Sequence, residues 1–242
     1  MSGFDKTKVL VVGGSSGIGQ ATAAAFAAAG ARVTIASRSK AKLNAAIETI
    51  GASSAATSVI GVELDVTDDA AVTAFFSPGE SWDHVVISAA QTPGGPARQL
   101  ALEDAYSAMN SKFWGAYRIA RVVRIRENGS LTLISGYLAV RPRATSVLQG
   151  AINAALEALG RGLALELAPV RVNTVSPGLI ATPLWDRISA EAREAMYTET
   201  AQRLPARRVG QAEDIARAVL YLAGNRFATG STILVDGGAV IA

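Results

Sequence analysis

Four glycines stand within seven residues, directly after an apolar run and directly before an alanine-rich stretch: Lys8-Val9-Leu10-Val11-Val12, then Gly13-Gly14-Ser15-Ser16-Gly17-Ile18-Gly19. An unbroken aliphatic run of this length reads as a strand covered on both faces. The stretch Ile18–Ala29, stopped by Gly30, reads as a helix. A strand that turns through glycines straight into a helix is the opening of a βαβ unit. One glycine makes the tight turn, one lets the backbone approach a bound group, and one lets helix and strand pack closely. The helix start presents unpaired N–H groups and the positive end of its dipole, a setting for phosphate. The spacing therefore predicts a dinucleotide pyrophosphate on Gly13, Ser15, Ser16, Gly17, Ile18 and Gly19. A turn without a ligand is one alternative. A hydrolase elbow is another, because Gly13-Gly14-Ser15-Ser16-Gly17 fits G-x-S-x-G. That elbow needs a downstream histidine. The chain's one histidine, His84, falls inside an apolar strand and reads as structural.

The same alternation continues. Strands are predicted at Arg32–Ala36, Val59–Leu64, His84–Ser88, Ser130–Ser135, Arg171–Val175 and Thr232–Val235. Helices are predicted near Lys40–Ile50, after the capping run Thr67-Asp68-Asp69, over Leu102–Arg126, Val147–Leu167 and Glu213–Ala223, with a helical excursion over 183–202. Strand–helix alternation at this spacing implies right-handed crossovers. The expected fold is a three-layer α/β Rossmann fold with a doubly wound parallel sheet of seven strands, one domain over residues 1–242. Ligands in such sheets bind beyond the carboxyl ends of the strands.

The end of the second strand selects the cofactor. A carboxylate there would hold the ribose hydroxyls of NAD. Here the residues are Ser37-Arg38, so a 2′-phosphate meets no repulsion and Arg38 can pair with it. NADP(H) is expected over NAD(H), with a plain surface arginine as the alternative.

Composition excludes several classes. Cysteine is absent, which removes disulfides, thiolate metal sites and cysteine nucleophiles, and no metal site is expected. Half the residues are hydrophobic and mean hydropathy is +0.27, yet no apolar run matches a membrane span. Met1-Ser2-Gly3-Phe4-Asp5-Lys6 leads into a strand rather than a signal peptide, so a cytoplasmic protein is expected. A net charge of +3 is too mild to argue for nucleic acid. Arg118, Arg121, Arg124 and Arg126 read as a solvated face or subunit contact, as do Arg203, Arg207 and Arg208.

Taken together, the chain resembles the short-chain dehydrogenase/reductase family over nearly its whole length. The resemblance rests on Gly13, Gly17 and Gly19 at G-x-x-x-G-x-G spacing, on Leu64-Asp65-Val66, on Asn110, on Arg171-Val172-Asn173-Thr174-Val175-Ser176-Pro177-Gly178, and on Val235-Asp236-Gly237-Gly238. It implies adenine contacts at Asp65 and Val66, and nicotinamide contacts at Pro177, Gly178, Ile180 and Thr182. It implies a structural and proton-relay role for Asn110. It also implies a homodimer or homotetramer built through the two long central helices and the last strand.

The resemblance breaks where the chemistry lies. The family carries a serine, and a tyrosine and lysine spaced Y-x-x-x-K on one helix face. The lysine lowers the tyrosine pKa and holds the ribose, and the tyrosine moves the proton. Alignment on Ala154-Ala155-Leu156-Glu157-Ala158-Leu159 puts Gly136, Gln149 and Asn153 at the serine, tyrosine and lysine positions. The usual Asn-Asn-Ala-Gly reads Ile87-Ser88-Ala89-Ala90, keeping only Ala89. A carboxamide does not titrate near neutrality, so Gln149 cannot be the acid or base. Asn153 can still bond the ribose, and Tyr137 can serve as a substitute acid or as a pocket wall.

Three functions follow. One is an NADP(H)-dependent oxidoreductase with an altered site, acting on a cationic iminium or, with a substitute proton donor, on a carbonyl. Another is a catalytically inactive dinucleotide-binding sensor or scaffold. The third is lyase or isomerase chemistry on the same fold. Residues 91–98 and 180–205, the expected pocket wall, carry no constellation that names a substrate.

Overall fold

The computed structural model describes residues 3–53, 58–77, 79–91 and 93–242. Seven strands pair in parallel in the order β3-β2-β1-β4-β5-β6-β9: β1 (Lys8–Val12), β2 (Arg32–Ser37), β3 (Val59–Glu63), β4 (Ser81–Ile87), β5 (Arg124–Ile134), β6 (Arg171–Pro177) and β9 (Thr232–Val235). A short parallel pair, β7 (Ile180–Ala181) with β8 (Gly210–Gln211), lies apart from it. The strand order reverses between β1 and β4, so a crevice opens at the carboxyl ends of these two strands.

Period-two alternation explains the three layers. Val9 and Val11 of β1 point into a core shared with α1 (Gly17–Ala28), α2 (Lys40–Ser53) and α8 (Ala212–Gly224), through Phe26, Leu43 and Ile215. Leu10 and Val12 point the other way, toward α3 (Asp69–Phe76), α5 (Gly115–Val122) and α6 (Val147–Glu166), through Val72, Ile119 and Leu156. Each fully buried aliphatic or aromatic side chain here contributes about 1.5–3 kcal/mol against exposure. Asp68 accepts from the Ala70 and Ala71 amides and starts α3, as its place in the sequence predicts. Among the described residues, no helix is long and apolar enough to cross a membrane.

The helix expected over Leu102–Arg126 is three helical pieces and the start of a strand. α4 (Leu102–Met109) passes into a π-helix at Asn110–Trp114, then into α5, which ends at Val122. Arg124 and Ile125 pair with Ser81 and Trp82 as the first residues of β5. The apolar periodicity hid this end, because Val122, Val123 and Ile125 suit a strand as well as a helix. Asp83 fixes the strand by pairing with Arg126 at 3.0 Å and accepting the Lys8 amide at 2.7 Å. The excursion over 183–202 resolves into a short 3-10 turn, Pro183–Arg187, and α7 (Ala190–Arg203).

His84 is buried as expected. Its Nδ1 is 2.9 Å from Ser130 Oγ, and its ring stacks on Phe26 with Phe4 edge-on. Burial, reinforced by the Arg171 charge, pushes its pKa down to about 4 against a smaller opposing pull from Asp83.

Candidate functional site

A cleft of about 1900 Å³ opens at the switch point and extends beneath α7. The glycine turn forms its floor. Gly13 has φ +85°, and a Cβ there would stand 2.5 Å from the Ala89 nitrogen. Only glycine lets the turn and the end of β4 approach this closely. A Cβ on Gly19 would stand 2.0 Å from the Gly13 carbonyl oxygen, so this residue presses α1 against the turn without itself lining the cleft. Ser16, the N-cap of α1, makes no side-chain cap bond, and the first turn carries no acidic residue. The amides at this end of α1 are thus left to the cleft.

The predicted cofactor residues converge. Gly13, Ser15, Ser16, Gly17, Ile18, Ser37, Arg38, Asp65, Val66, Ala89, Asn153, Pro177, Gly178, Ile180 and Thr182 all line the cleft. Thr182 faces the turn, since a Cβ on Gly17 would meet its Cβ at 3.3 Å. Arg38 is exposed at the end of β2 and donates to Gln91 Oε1 at 3.0 Å. Lys42, a second cation on the same rim, escaped the sequence reading because it sits on α2 rather than on the strand end. Burial alone would raise the Asp65 pKa. Bonds from the Thr67 amide and hydroxyl, with the Arg38 and Arg118 charges, outweigh it and hold the carboxyl below its ordinary value.

These residues fit a dinucleotide. Ser37 Oγ is buried at the cleft without a hydrogen-bond partner, a donor and acceptor left for a ligand. The glycine floor is a cradle that Cβ atoms would fill.

The catalytic corner is built differently from the resemblance. Gln149 lines the cleft and donates from Nε2 to the Pro93 carbonyl at 2.7 Å, while its Oε1 is buried without a partner among the described residues. Thr92, beside that anchor, lies outside the described residues. Tyr137 is a buried wall residue packed on Leu204 and Ala239, with the Arg143 guanidinium 5.6 Å from its ring centroid. Asn110 is not part of the lining: it opens the π-helix, and its carbonyl accepts from Arg118. Its neighbours Ser111 and Lys112, in the same π turn, line the cleft. Ser111 Oγ accepts the Gln91 amide at 2.8 Å.

Lys112 is the residue that the sequence did not reveal. Its Nζ donates to the Ser135 carbonyl at 2.9 Å and to Asn153 Oδ1 at 2.7 Å. Burial pushes its pKa down to about 8. Asn153 in turn lies over Gly136, where a Cβ would stand 2.7 Å from Nδ2. Two of the three altered positions are therefore connected: the missing side chain at 136 leaves room for the carboxamide at 153, which receives the ammonium of Lys112.

A parallel sheet of this order with a glycine-floored cleft at its switch point defines a dinucleotide-binding Rossmann protein. A family model described as enoyl-(acyl carrier protein) reductase matches residues 12–240. A short-chain dehydrogenase/reductase from Acremonium sp is 31% identical, over 99% of this chain and 97% of the relative. A small-chain dehydrogenase solved in complex with NADPH is 35% identical, covers 98% of this chain and 100% of its own, and superposes with a TM-score of 0.81. The L-sorbose reductase of Gluconobacter frateurii, solved with NADPH and L-sorbose, is 25% identical with a TM-score of 0.89, over 100% of this chain and 99% of its own. The chain belongs to the short-chain dehydrogenase/reductase family of oxidoreductases.

Proposed function

We propose that this protein is an NADP(H)-dependent oxidoreductase acting on a C=O or C=N bond through a non-standard catalytic corner. The observation that carries the reading is the glycine cradle joined to Ser37 and Arg38 at the end of β2, where no carboxylate stands to repel a 2′-phosphate. That two structural neighbours were solved with NADPH supports the same choice. When bound, the nicotinamide supplies hydride to an electrophilic carbon. The protein's part is to hold phosphate at the α1 amides and Arg38, and to present Asn153 and Thr182 toward the nicotinamide half. Gln149, anchored to the Pro93 carbonyl, can accept a hydrogen bond through its unpartnered Oε1 but cannot exchange a proton near neutrality.

Calorimetric titration of the purified protein with NADPH and NADH tests the cofactor. Tighter NADPH binding is expected, and preferential NADH binding would overturn the assignment. A panel of ketones, aldehydes and cyclic imines, followed by NADPH consumption, tests the reaction class. The second reading, a catalytically inactive sensor or scaffold, draws on the same Gln149 anchor. It predicts NADPH binding with no turnover across that panel.

We also propose a homo-oligomer. Phe113, Trp114 and Tyr117 form an aromatic cluster, with ring centroids 5.2–6.5 Å apart, beside Ala155, Ala158 and Leu159 in an apolar groove on the two central helices. This is the surface through which the family resemblance implies assembly. The last strand, β9, is a sheet edge with Leu234 exposed. No nucleic-acid or membrane partner forms part of this reading.

A further inference from the structure

Lys112 belongs to no position that the family resemblance assigns, yet its ammonium is bonded to Asn153, one of the altered positions. It reaches there from the π-helix Asn110–Trp114, across from α6, which carries Asn153. A π turn inside a helix is costly and recurs at functional sites. An ammonium has three N–H bonds. Ser135 and Asn153 take two of them, and among the described residues the third has no acceptor. Lys112 is also one of the residues that line the cleft.

Among the described residues, the surrounding charges leave the ammonium without an ion-pair partner. From α6, Glu157 faces the region but accepts from the Ser135 hydroxyl at 2.9 Å rather than from Nζ. Tyr137, beyond the end of β5, makes no hydrogen bond to it, and Glu103 and Asp104 of α4 are exposed. On α5, Arg118 turns away toward Asp69 and the Asn110 carbonyl. A buried cation held only by neutral oxygens is destabilising where it serves no purpose. Its retention beside a dinucleotide cleft points to use.

We propose that Lys112 is the proton donor of this enzyme, delivered from a different helix than the missing lysine and replacing the missing tyrosine in function. The proposal rests on the NADP(H) oxidoreductase reading above. As hydride adds to the carbon of a C=O or C=N bond, the π electron pair moves onto the oxygen or nitrogen, and a proton passes to that atom from Lys112 Nζ. The substrate is reduced by two electrons, the dinucleotide is oxidised, and the neutral amine regains its proton from solvent. Asn153 and the Ser135 carbonyl hold Nζ throughout, so Asn153 is a positioning residue for this step. A lysine with a pKa near 8 is well matched to proton donation around neutrality.

The chain has five lysines, Lys6, Lys8, Lys40, Lys42 and Lys112, so a protein labelled with carbon-13 at lysine Cε gives at most five side-chain signals. One signal is expected to titrate near pH 8, to vanish in Lys112→Arg, and to move when NADP⁺ is added. A Lys112 signal that titrates with the other lysines, or that ignores saturating NADP⁺ in a protein shown by calorimetry to bind it, overturns the proposal. Failure of the native protein to bind NADP⁺ or NADPH instead overturns the cofactor reading beneath it. On any panel substrate that turns over, Lys112→Met should lower kcat about 10²–10⁴-fold while leaving NADPH bound. Lys112→Arg, which keeps the charge but not a titratable donor, should lose the fall in rate above pH 8. Turnover by Lys112→Met at the native rate overturns the assignment. Melting curves for both variants separate misfolding from lost chemistry, and the labelled native protein answers the question if the Met variant does not fold.

Discussion

Lys112 Nζ stands 2.7 Å from Asn153 Oδ1, and the other end of that carboxamide fills the space that a Cβ on Gly136 would need, at 2.7 Å from Nδ2. Three residues far apart in sequence thus form one device. Simple reversion toward the family pattern should therefore fail. In Gly136→Ser/Gln149→Tyr/Asn153→Lys, the new side chain at 136 crowds position 153, and the new ammonium meets the one already present. Like charges at this separation destabilise each other, most of all when buried. The triple variant should be less stable than the native protein and gain little activity. Adding Lys112→Leu should recover stability and raise turnover. Urea unfolding and the substrate panel with NADPH check both; a triple variant that melts at the native temperature would refute the coupling.

The Gly19→Ala substitution tests the floor of the cleft. A Cβ would stand 2.0 Å from the Gly13 carbonyl oxygen, a backbone atom that cannot rotate away. Relief requires α1 to move off the turn. The expected cost is about 3 kcal/mol in denaturant unfolding, with a matching loss of NADPH affinity. A variant that unfolds at the native urea midpoint would show that the turn is softer than its packing implies.

Arg38→Ala should discriminate between cofactors. Arg38 is exposed, and among the described residues its one side-chain bond is to Gln91. Its removal therefore leaves the fold intact. A charge-assisted bond to phosphate contributes roughly 1.5–3 kcal/mol, so NADPH should weaken about ten- to a hundredfold, whereas NADH binding changes little. The difference should shrink at high salt, because the site is open to solvent. Calorimetry at two ionic strengths measures it. Equal losses for both cofactors would place Arg38 outside the 2′-phosphate contact.

How far the sequence could be read follows from which interactions are local. Unbroken, mostly β-branched runs such as Val9–Val12 and Val85–Ile87 read as strands of a covered sheet, and the glycine turn and Ser37-Arg38 follow the first two strands directly, which puts them at the cleft. The boundary after α5 was illegible because β-branched residues suit both states, and Arg124 and Ile125 become strand only by pairing with Ser81 and Trp82. Lys112 was illegible for a stronger reason. Its partner, Asn153, is 41 residues away, and the bond joins the π turn to α6, a contact between helices that no local pattern encodes. No periodicity announces a π turn. Asn110, the residue the resemblance put at the proton relay, opens that turn and is not among the residues lining the cleft.

Trp114→Glu should probe assembly. Trp114 is 45% exposed, yet it forms an aromatic cluster with Phe113 and Tyr117 on the central helices. A carboxylate in a paired apolar groove would be stranded without a partner. Light scattering after size exclusion should show an oligomer for the native protein and a smaller species for the variant. A native monomer would remove the proposal.

His84 sets how the fold responds to acid. Its folded pKa, near 4, is below the ordinary value of 6.5, because burial beside Phe26 and the Arg171 charge disfavour the cation. The unfolded chain therefore binds a proton at His84 before the folded one does. Stability from this group is complete above about pH 6.5 and is lost as pH falls toward 4, by up to about 3 kcal/mol. The paired carboxyl of Asp214, whose pKa the Arg208 bond holds below its ordinary value, loses its contribution only in more acid solution. His84 is the chain's one histidine, so the window between pH 6.5 and 4 reports chiefly on it. His84→Gln retains an amide that can bond Ser130 Oγ but does not titrate. Urea unfolding across this range should fall steeply for the native protein and stay nearly flat for the variant. Parallel curves would mean that another group carries the proton uptake.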